Sequence, residues 1–233
     1  MKNINVPIGI MKNNKLFMCA INKAPHILIL GKTGSGKSVL TNDIIRYLID
    51  NYLQTSVKIS LINCKATDFS EFSSHVKINH YYNTLSSFLS LVSEMNKRYD
   101  LFSQHGVVNI DKFNESTNAK LDRIIVVIDE IGAVDCKHEN KIQSLLSELV
   151  RKGHGAGIHI IIATQRIFPN VITPEISANI PTRIAFKLSN SVDSSFAIYE
   201  KGAEKLQKGE LLYIDLNENK PIKLKINTPL KRR

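Results

Sequence analysis

The chain predicts an α/β domain: a mostly parallel central sheet with helices on both faces, preceded by a short N-terminal β-hairpin. Three observations lead there. Short runs of consecutive aliphatic residues alternate with segments of helical period, as expected for strands buried on both faces of a parallel sheet. One run, His26-Ile27-Leu28-Ile29-Leu30, leads into Gly31-Lys32-Thr33-Gly34-Ser35-Gly36-Lys37-Ser38, which fits the phosphate-loop pattern G-x-x-x-x-G-K-[ST]. Another, Ile124-Ile125-Val126-Val127-Ile128, ends in Asp129-Glu130. Ligands bind at the C-terminal ends of strands in such sheets, so the glycine loop and the acid pair are expected at one edge.

The elements follow in order. Residues 4–10 and 15–21 read as a hairpin around Asn13-Asn14. Residues 26–30 are a buried strand, and 39–49 the helix after the glycine loop. Residues 57–62 form a second core strand. Leu85, Phe88, Leu89, Val92, Met95, Tyr99 and Phe102 recur at helical spacing. The polar stretch 106–122 reads as a surface loop. The strand 124–128 follows, then a helix over 139–151 closed by Gly153, Gly155 and Gly157. Residues 158–163 are another buried strand, and further strands are expected at 181–188 and 210–214. The expected division is an N-terminal hairpin extension over 1–24, a nucleotide-binding domain over 25–216 and a basic strand or tail over 217–233.

The chain has 233 residues and is 43% hydrophobic, enough for a substantial core. Its net charge is +10, which favours a polyanionic partner such as nucleic acid or an anionic membrane face. Cys19, Cys64 and Cys136 are isolated and odd in number, so neither a disulfide framework nor a C-x-x-C site is indicated and a reducing cytoplasm fits. No apolar run is long enough to span a bilayer, so no direct membrane insertion is expected.

The chemistry concentrates in three places. Gly31, Lys32, Thr33, Gly34, Ser35, Gly36, Lys37, Ser38 and Val39 are assigned as nucleotide contacts, with ATP as ligand. The glycines let backbone N–H groups converge, and the helix N-terminus adds partial positive charge. Lys37 is expected to reach the β- and γ-phosphates, and Ser38 to hold Mg²⁺ together with Asp129. Glu130 is expected to polarise the attacking water. The apolar run Ile160-Ile161-Ile162-Ala163 ends in Thr164-Gln165-Arg166, where Gln165 or Thr164 would sense the γ-phosphate or the water.

The run Ala156-Gly157-Ile158-His159-Ile160-Ile161-Ile162-Ala163-Thr164-Gln165-Arg166 resembles a characteristic run of the FtsK/SpoIIIE DNA translocases. Val171-Ile172-Thr173, Ala178-Asn179-Ile180-Pro181-Thr182-Arg183-Ile184-Ala185-Phe186 and Gly202-Ala203-Glu204-Lys205-Leu206 with Gly209-Glu210-Leu211-Leu212-Tyr213 continue the likeness. The resemblance implies a RecA-like motor domain that assembles as a homo-oligomeric ring, a hexamer, around double-stranded DNA. ATP would bind between subunits and its hydrolysis would drive the DNA along the axis. Lys37, Ser38, Asp129, Glu130 and Gln165 match the family's nucleotide-site positions.

Three departures stand out. Asn63-Cys64-Lys65 replaces the family's Asp-Pro-Lys, and Gly153-His154 replaces Gly-Arg. The arginine that would reach a neighbour's γ-phosphate is therefore sought elsewhere, first at Arg183 and second at Arg151. Arg166 is separated from its proline by Ile167-Phe168. A minimal motor without membrane helices or a sequence-reading winged helix is expected, of the kind that serves DNA transfer, replication or segregation of a plasmid, conjugative element or virus. A loading or membrane partner encoded by the same element would complete it. The alternatives are a protein-secretion ATPase and a viral DNA-packaging ATPase. DNA contacts are sought in 106–120, in 151–157, and at Lys223, Lys225, Lys231, Arg232 and Arg233. His26 and His159 read as packed core histidines.

Overall fold

The computed structural model describes residues 3–53, 57–64, 69–79, 83–133, 137–166, 170–216, 218 and 220–226. Lys65, Cys136, the insertion 167–169 and the basic residues 231–233 lie outside them. The strands are β1 (Asn5–Ile10), β2 (Leu16–Ala20), β3 (His26–Leu30), β4 (Val57–Asn63), β5 (Lys77–Asn79), β6 (Arg123–Asp129), β7 (Ile158–Thr164), β8 (Thr182–Ala185), β9 (Glu210–Ile214) and β10 (Ile222–Lys225). The helices are α1 (Lys37–Tyr52), α2 (Thr84–Gln104), α3 (Ile110–Ser116), α4 (Glu139–Lys152), α5 (Pro174–Ala178) and α6 (Ser191–Ile198).

The described strands form a single ten-stranded sheet in the order β2-β1-β10-β9-β8-β3-β7-β6-β4-β5. Pairing is parallel from β5 through β8 and antiparallel from β8 to β2. The N-terminal hairpin is thus continuous with the central sheet: β10 bridges it to β9, with Ile10 opposite Lys225.

The aliphatic runs feed two cores by strict alternation. On one face, Leu28, Leu30, Val126, Ile128, Ile160 and Ile162 pack against α2, α4, α5 and α6. On the other, Ile27, Ile29, Ile125, Val127, Ile161 and Ala163 meet Leu40, Ile44, Ile45 and Leu48 of α1 and Ile4, Val6 and Ile8 of the hairpin region. All seven residues of β7 are buried, which explains why its sequence shows no polar alternation.

One expectation is corrected. The stretch 106–122 is not simply a loop, because it contains α3. Asn109 caps this helix by accepting the Lys112 N–H at 2.9 Å. Ile110 and Phe113 bury themselves against Phe102 at the end of α2, a small third core. Within the helix itself only Ile110 and Phe113 are apolar, too few for a periodic signal.

At the N-terminal edge of the parallel strands sit two buried histidines. His26 Nδ1 accepts the Ile160 N–H at 3.1 Å. His159 bridges the Pro25 carbonyl through Nδ1 and the Arg123 guanidinium through Nε2, each at 3.1 Å, an arrangement that suits a neutral ring. Burial, with nearby His154, pushes His26 down to about 3. Burial, reinforced by Arg123 and the other two histidines, holds His159 well below its ordinary value. The unfolded chain takes up these protons near pH 6.5 and the folded chain resists them, so the stability present above that pH is lost as pH falls. The denaturant midpoint should decline steadily from about pH 7 to pH 5, and His26→Gln should flatten that slope. A flat wild-type profile over this window would contradict the assignment.

Candidate nucleotide site

The site begins at the C-terminal end of β3. Gly31 N–H donates to Thr164 O at 3.2 Å and Lys32 N–H to Lys187 O at 3.1 Å, so the loop is tied to the end of β7 and to the segment that follows β8. Gly36 closes the loop as the residue before α1, at φ 118°. A Cβ there would lie 3.1 Å from both Ile226 Cδ1 and Phe186 Cε1. At Gly31 a Cβ would come within 2.7 Å of Phe186 Cβ and Ser35 Oγ. Bare backbone is required at both ends of the loop for steric reasons.

Gly36 offers no capping side chain, and the first N–H groups of a helix have no partner within it. They face a cavity of about 320 Å³ lined by Lys32, Thr33, Gly34, Gly36, Lys37, Ser38, Val39, Gln165, Lys208 and Ile226. The expected contacts in this set come together here. Lys208 and Ile226 were not foreseen. They arrive from the far end of the chain because Gly209 N–H donates to Ser35 O at 3.0 Å and Ile226 N–H to Gly209 O at 2.8 Å.

The acid pair lies beside the loop, as its position at the end of β6 requires. Lys37 Nζ is 3.5 Å from Asp129 Oδ1, and both side chains are largely buried. Glu130 follows with a left-handed backbone, φ 55°, stabilised by its N–H bond to Ala163 O at 2.8 Å. That conformation is costly for a non-glycine residue, by about 1–3 kcal/mol, and marks a constrained position. Glu130 is only 5% exposed. Its Oε1 accepts from Thr164 Oγ1 at 2.9 Å and from Gln165 N–H at 3.2 Å. Gln165 Oε1 in turn accepts from Thr33 Oγ1 of the phosphate loop at 2.9 Å. The tips of β6 and β7 and the loop after β3 are therefore joined by hydrogen bonds.

Asn63 and Cys64 stand next to this group, with Asn63 in register with Asp129. Cys64 N–H donates to Asp129 O at 3.2 Å. Burial, with the Asp129 and Glu130 carboxylates nearby, pushes the Cys64 thiol up to about 12, so it stays protonated and unreactive.

The residues fit a magnesium nucleotide. Among the described residues Ser35 Oγ in the loop and Glu130 Oε2 beside it are buried without a hydrogen-bond partner, polar groups left open at this edge of the sheet. The Ser38 hydroxyl and the Asp129 carboxylate are hard oxygen donors suited to Mg²⁺. Among the described residues no group of three or more metal-ligating side chains is clustered, and magnesium at phosphate sites is ordinarily held by few protein ligands.

Arg183 requires a correction. It is 1% exposed and fastened inside the fold. Nη1 donates to Phe196 O at 3.1 Å, Nη2 to Ser177 Oγ at 2.8 Å and to the Ser177 carbonyl, and the guanidinium stacks 4.5 Å from the Tyr199 ring centre. It ties β8 to α5 and α6, with its guanidinium turned inward and not toward the surface. Arg151 is on the surface, 3.9 Å from Glu175. Among the expected DNA contacts, Lys112 pairs with Glu115, Lys120 donates to the Asn114 and Thr117 carbonyls, and Lys223 pairs with Glu210. Arg98 is buried, bonded to Glu94 and the Ala156 carbonyl.

Residues 2–169 match the model of the FtsK/SpoIIIE family. DNA translocase SftA of Bacillus subtilis is 38% identical over 221 residues, covering 89% of this chain and 23% of the relative. DNA translocase FtsK of Clostridium acetobutylicum is 37% identical over 215 residues, covering 88% and 28%. The chain thus spans 23% and 28% of the length of these two relatives. Among solved structures, the pCW3 conjugation coupling protein TcpA, a monomer form with ATPγS, matches with TM-score 0.80 and 28% identity, over 95% of this chain and 64% of that one. The cytoplasmic domain of the Thermomonospora curvata type VII secretion ATPase EccC matches with TM-score 0.85 at 18% identity, over 99% and 29%, a likeness of fold. No described helix is long and apolar enough to cross a membrane.

The steric argument at the loop gives a direct expectation. Gly36→Ala should lower folding stability by about 1–3 kcal/mol, because an L-residue is forced to a strained φ against Phe186 and Ile226. It should also weaken binding of a fluorescent ATP analogue by about tenfold or more, since the adjoining N–H groups move. Unchanged denaturation and titration curves would show that the loop tolerates a side chain there.

Proposed function

The chain belongs to the FtsK/SpoIIIE family, and on that premise we propose that it is an ATP-dependent double-stranded DNA translocase. The observation that carries the ATPase part is the meeting of three strand tips: Lys37 3.5 Å from Asp129, Thr33 bonded to Gln165, and Gln165 bonded through its backbone to Glu130. The polymer is argued from the charge of +10 and from relatives of 37–38% identity that are themselves DNA translocases.

In this reading the phosphate loop and α1 hold the triphosphate, and Lys37 places its charge against the outer phosphates. Ser38 and Asp129 hold Mg²⁺, which when bound neutralises phosphate charge. Glu130 takes a proton from water as the water oxygen bonds to the γ-phosphorus and the bond to the β–γ bridging oxygen breaks. Gln165 orients the water or the γ-phosphate. The chain acts as a ring of copies, a hexamer, with nucleotide between neighbours. A surface cation such as Arg151, and not Arg183, is the candidate to reach across. Service to a mobile element is the biological setting favoured by the 28% likeness to a conjugation coupling protein. The secretion alternative rests on fold alone.

The test is ATP turnover by the purified chain with and without duplex DNA. Turnover should rise several-fold with duplex and lose that stimulation as salt increases. Lys37→Ala should abolish it, and Glu130→Gln should bind ATP yet turn over about 10²–10⁴-fold more slowly. Stimulation by a secretion-signal peptide and indifference to DNA would replace the DNA reading, and full turnover in Glu130→Gln would remove Glu130 from its role.

A further inference from the structure

We propose that Thr164 is the positioning residue for Glu130, fixing one carboxylate oxygen so that the other is left to take the proton of the attacking water. The inference rests on the ATPase reading above and adds to it the atom that accepts and the side chain that holds it.

The two oxygens of Glu130 differ in kind. Oε1 is held twice, by Thr164 Oγ1 at 2.9 Å and Gln165 N–H at 3.2 Å. Oε2 is buried and has no hydrogen-bond partner among the described residues. A buried carboxylate oxygen without a donor is costly and is retained where a function uses it. The asymmetry makes Oε2 the general base and Oε1 the anchor.

The anchor is needed because of the backbone. At φ 55° the chain at Glu130 turns back, and Ala133 N–H donates to Glu130 O at 2.9 Å in the turn that follows. A glutamate has several rotatable bonds, and fixing them against the tip of β7 requires a donor from β7 itself. Thr164 supplies it. It is the last residue of β7, fully buried, and its β-branched side chain has few rotamers. Its hydroxyl carries one proton and has a second acceptor in reach, Arg166 O at 3.0 Å. The ionised carboxylate is the stronger acceptor, so the proton is directed to Glu130.

Gln165 contributes its backbone N–H to the same oxygen, but its side chain also meets Thr33 of the phosphate loop. A substitution at Gln165 therefore disturbs base and loop together. Among the described residues the Thr164 hydroxyl is bonded to Glu130 and the Arg166 carbonyl, not to the phosphate loop, which separates its effect from nucleotide binding.

The experiment compares Thr164→Val, which keeps the shape and removes the donor, with Thr164→Ser, which keeps the donor. In the full chain, kcat for ATP should fall about 10–100-fold in Thr164→Val, while KM and the dissociation constant of a fluorescent ATP analogue change less than about threefold. Thr164→Ser should stay within about threefold of wild type. In single-turnover measurements, Glu130→Gln with Thr164→Val should be no slower than Glu130→Gln alone, since the two act as a unit. Thr164→Ala, read against the same binding and denaturation curves, serves if the valine disturbs folding. Wild-type kcat in Thr164→Val and Thr164→Ala, equal loss in valine and serine, or additive loss in the double variant would each overturn the proposal. An inactive wild type would overturn the ATPase reading together with it, whereas an active wild type with an indifferent Thr164→Val overturns this inference alone.

Discussion

Parallel register among three neighbouring strands is the constraint on which the site depends. Asp129 lies beside Ala163, and Leu30 lies beside Thr164, so β6, β7 and β3 end at the same level. Each carries an aliphatic run, 27–30, 124–128 and 160–163, that gives way to glycine or polar residues at the C-terminal edge. The hydrogen-bond ladder therefore aligns the acid pair, the Thr164-Gln165 tip and the glycine loop without any further device. A slip of one residue would exchange every side chain between the two cores, so the packing that buries these strands also fixes the position of the chemistry.

The polar tips are not there for stability. A largely buried lysine and carboxylate 3.5 Å apart lose hydration that their attraction only partly returns, and Glu130 adds a strained backbone and an unpartnered oxygen. What holds them is the pair of aliphatic cores, one under α1 and the hairpin, the other under α2, α4, α5 and α6. Arg183 belongs to this support. Its buried guanidinium, bonded to the Ser177 and Phe196 carbonyls, joins β8 to two short helices, α5 and α6.

The antiparallel side of the sheet has a different part. β9 and β10 return the chain to the phosphate loop, where Gly209 donates to Ser35 O and Ile226 packs against Gly36. The loop is thus braced from the C-terminal end of the described chain as well as by the strand and helix that flank it, and β10 carries the N-terminal hairpin along in the same sheet. Lys208 joins the cavity lining only because of this return.

The sequence by itself determined whatever is encoded in contiguous residues. The aliphatic runs announced β3, β4, β6, β7 and β9, the period from Leu85 to Phe102 announced α2, and the residues 31–38 and 124–130 announced the nucleotide edge. Each of these signals needs only a strand or helix period or a local steric demand. Tertiary structure alone decided what depends on partners far apart in the chain. Phe102 made a helix of Ile110 and Phe113, Ser177 and Phe196 turned Arg183 inward, Gly209 and Ile226 reached the loop, and Thr164 was assigned to Glu130. Their donors and acceptors are brought together by sheet order, and no window of neighbouring residues records that order.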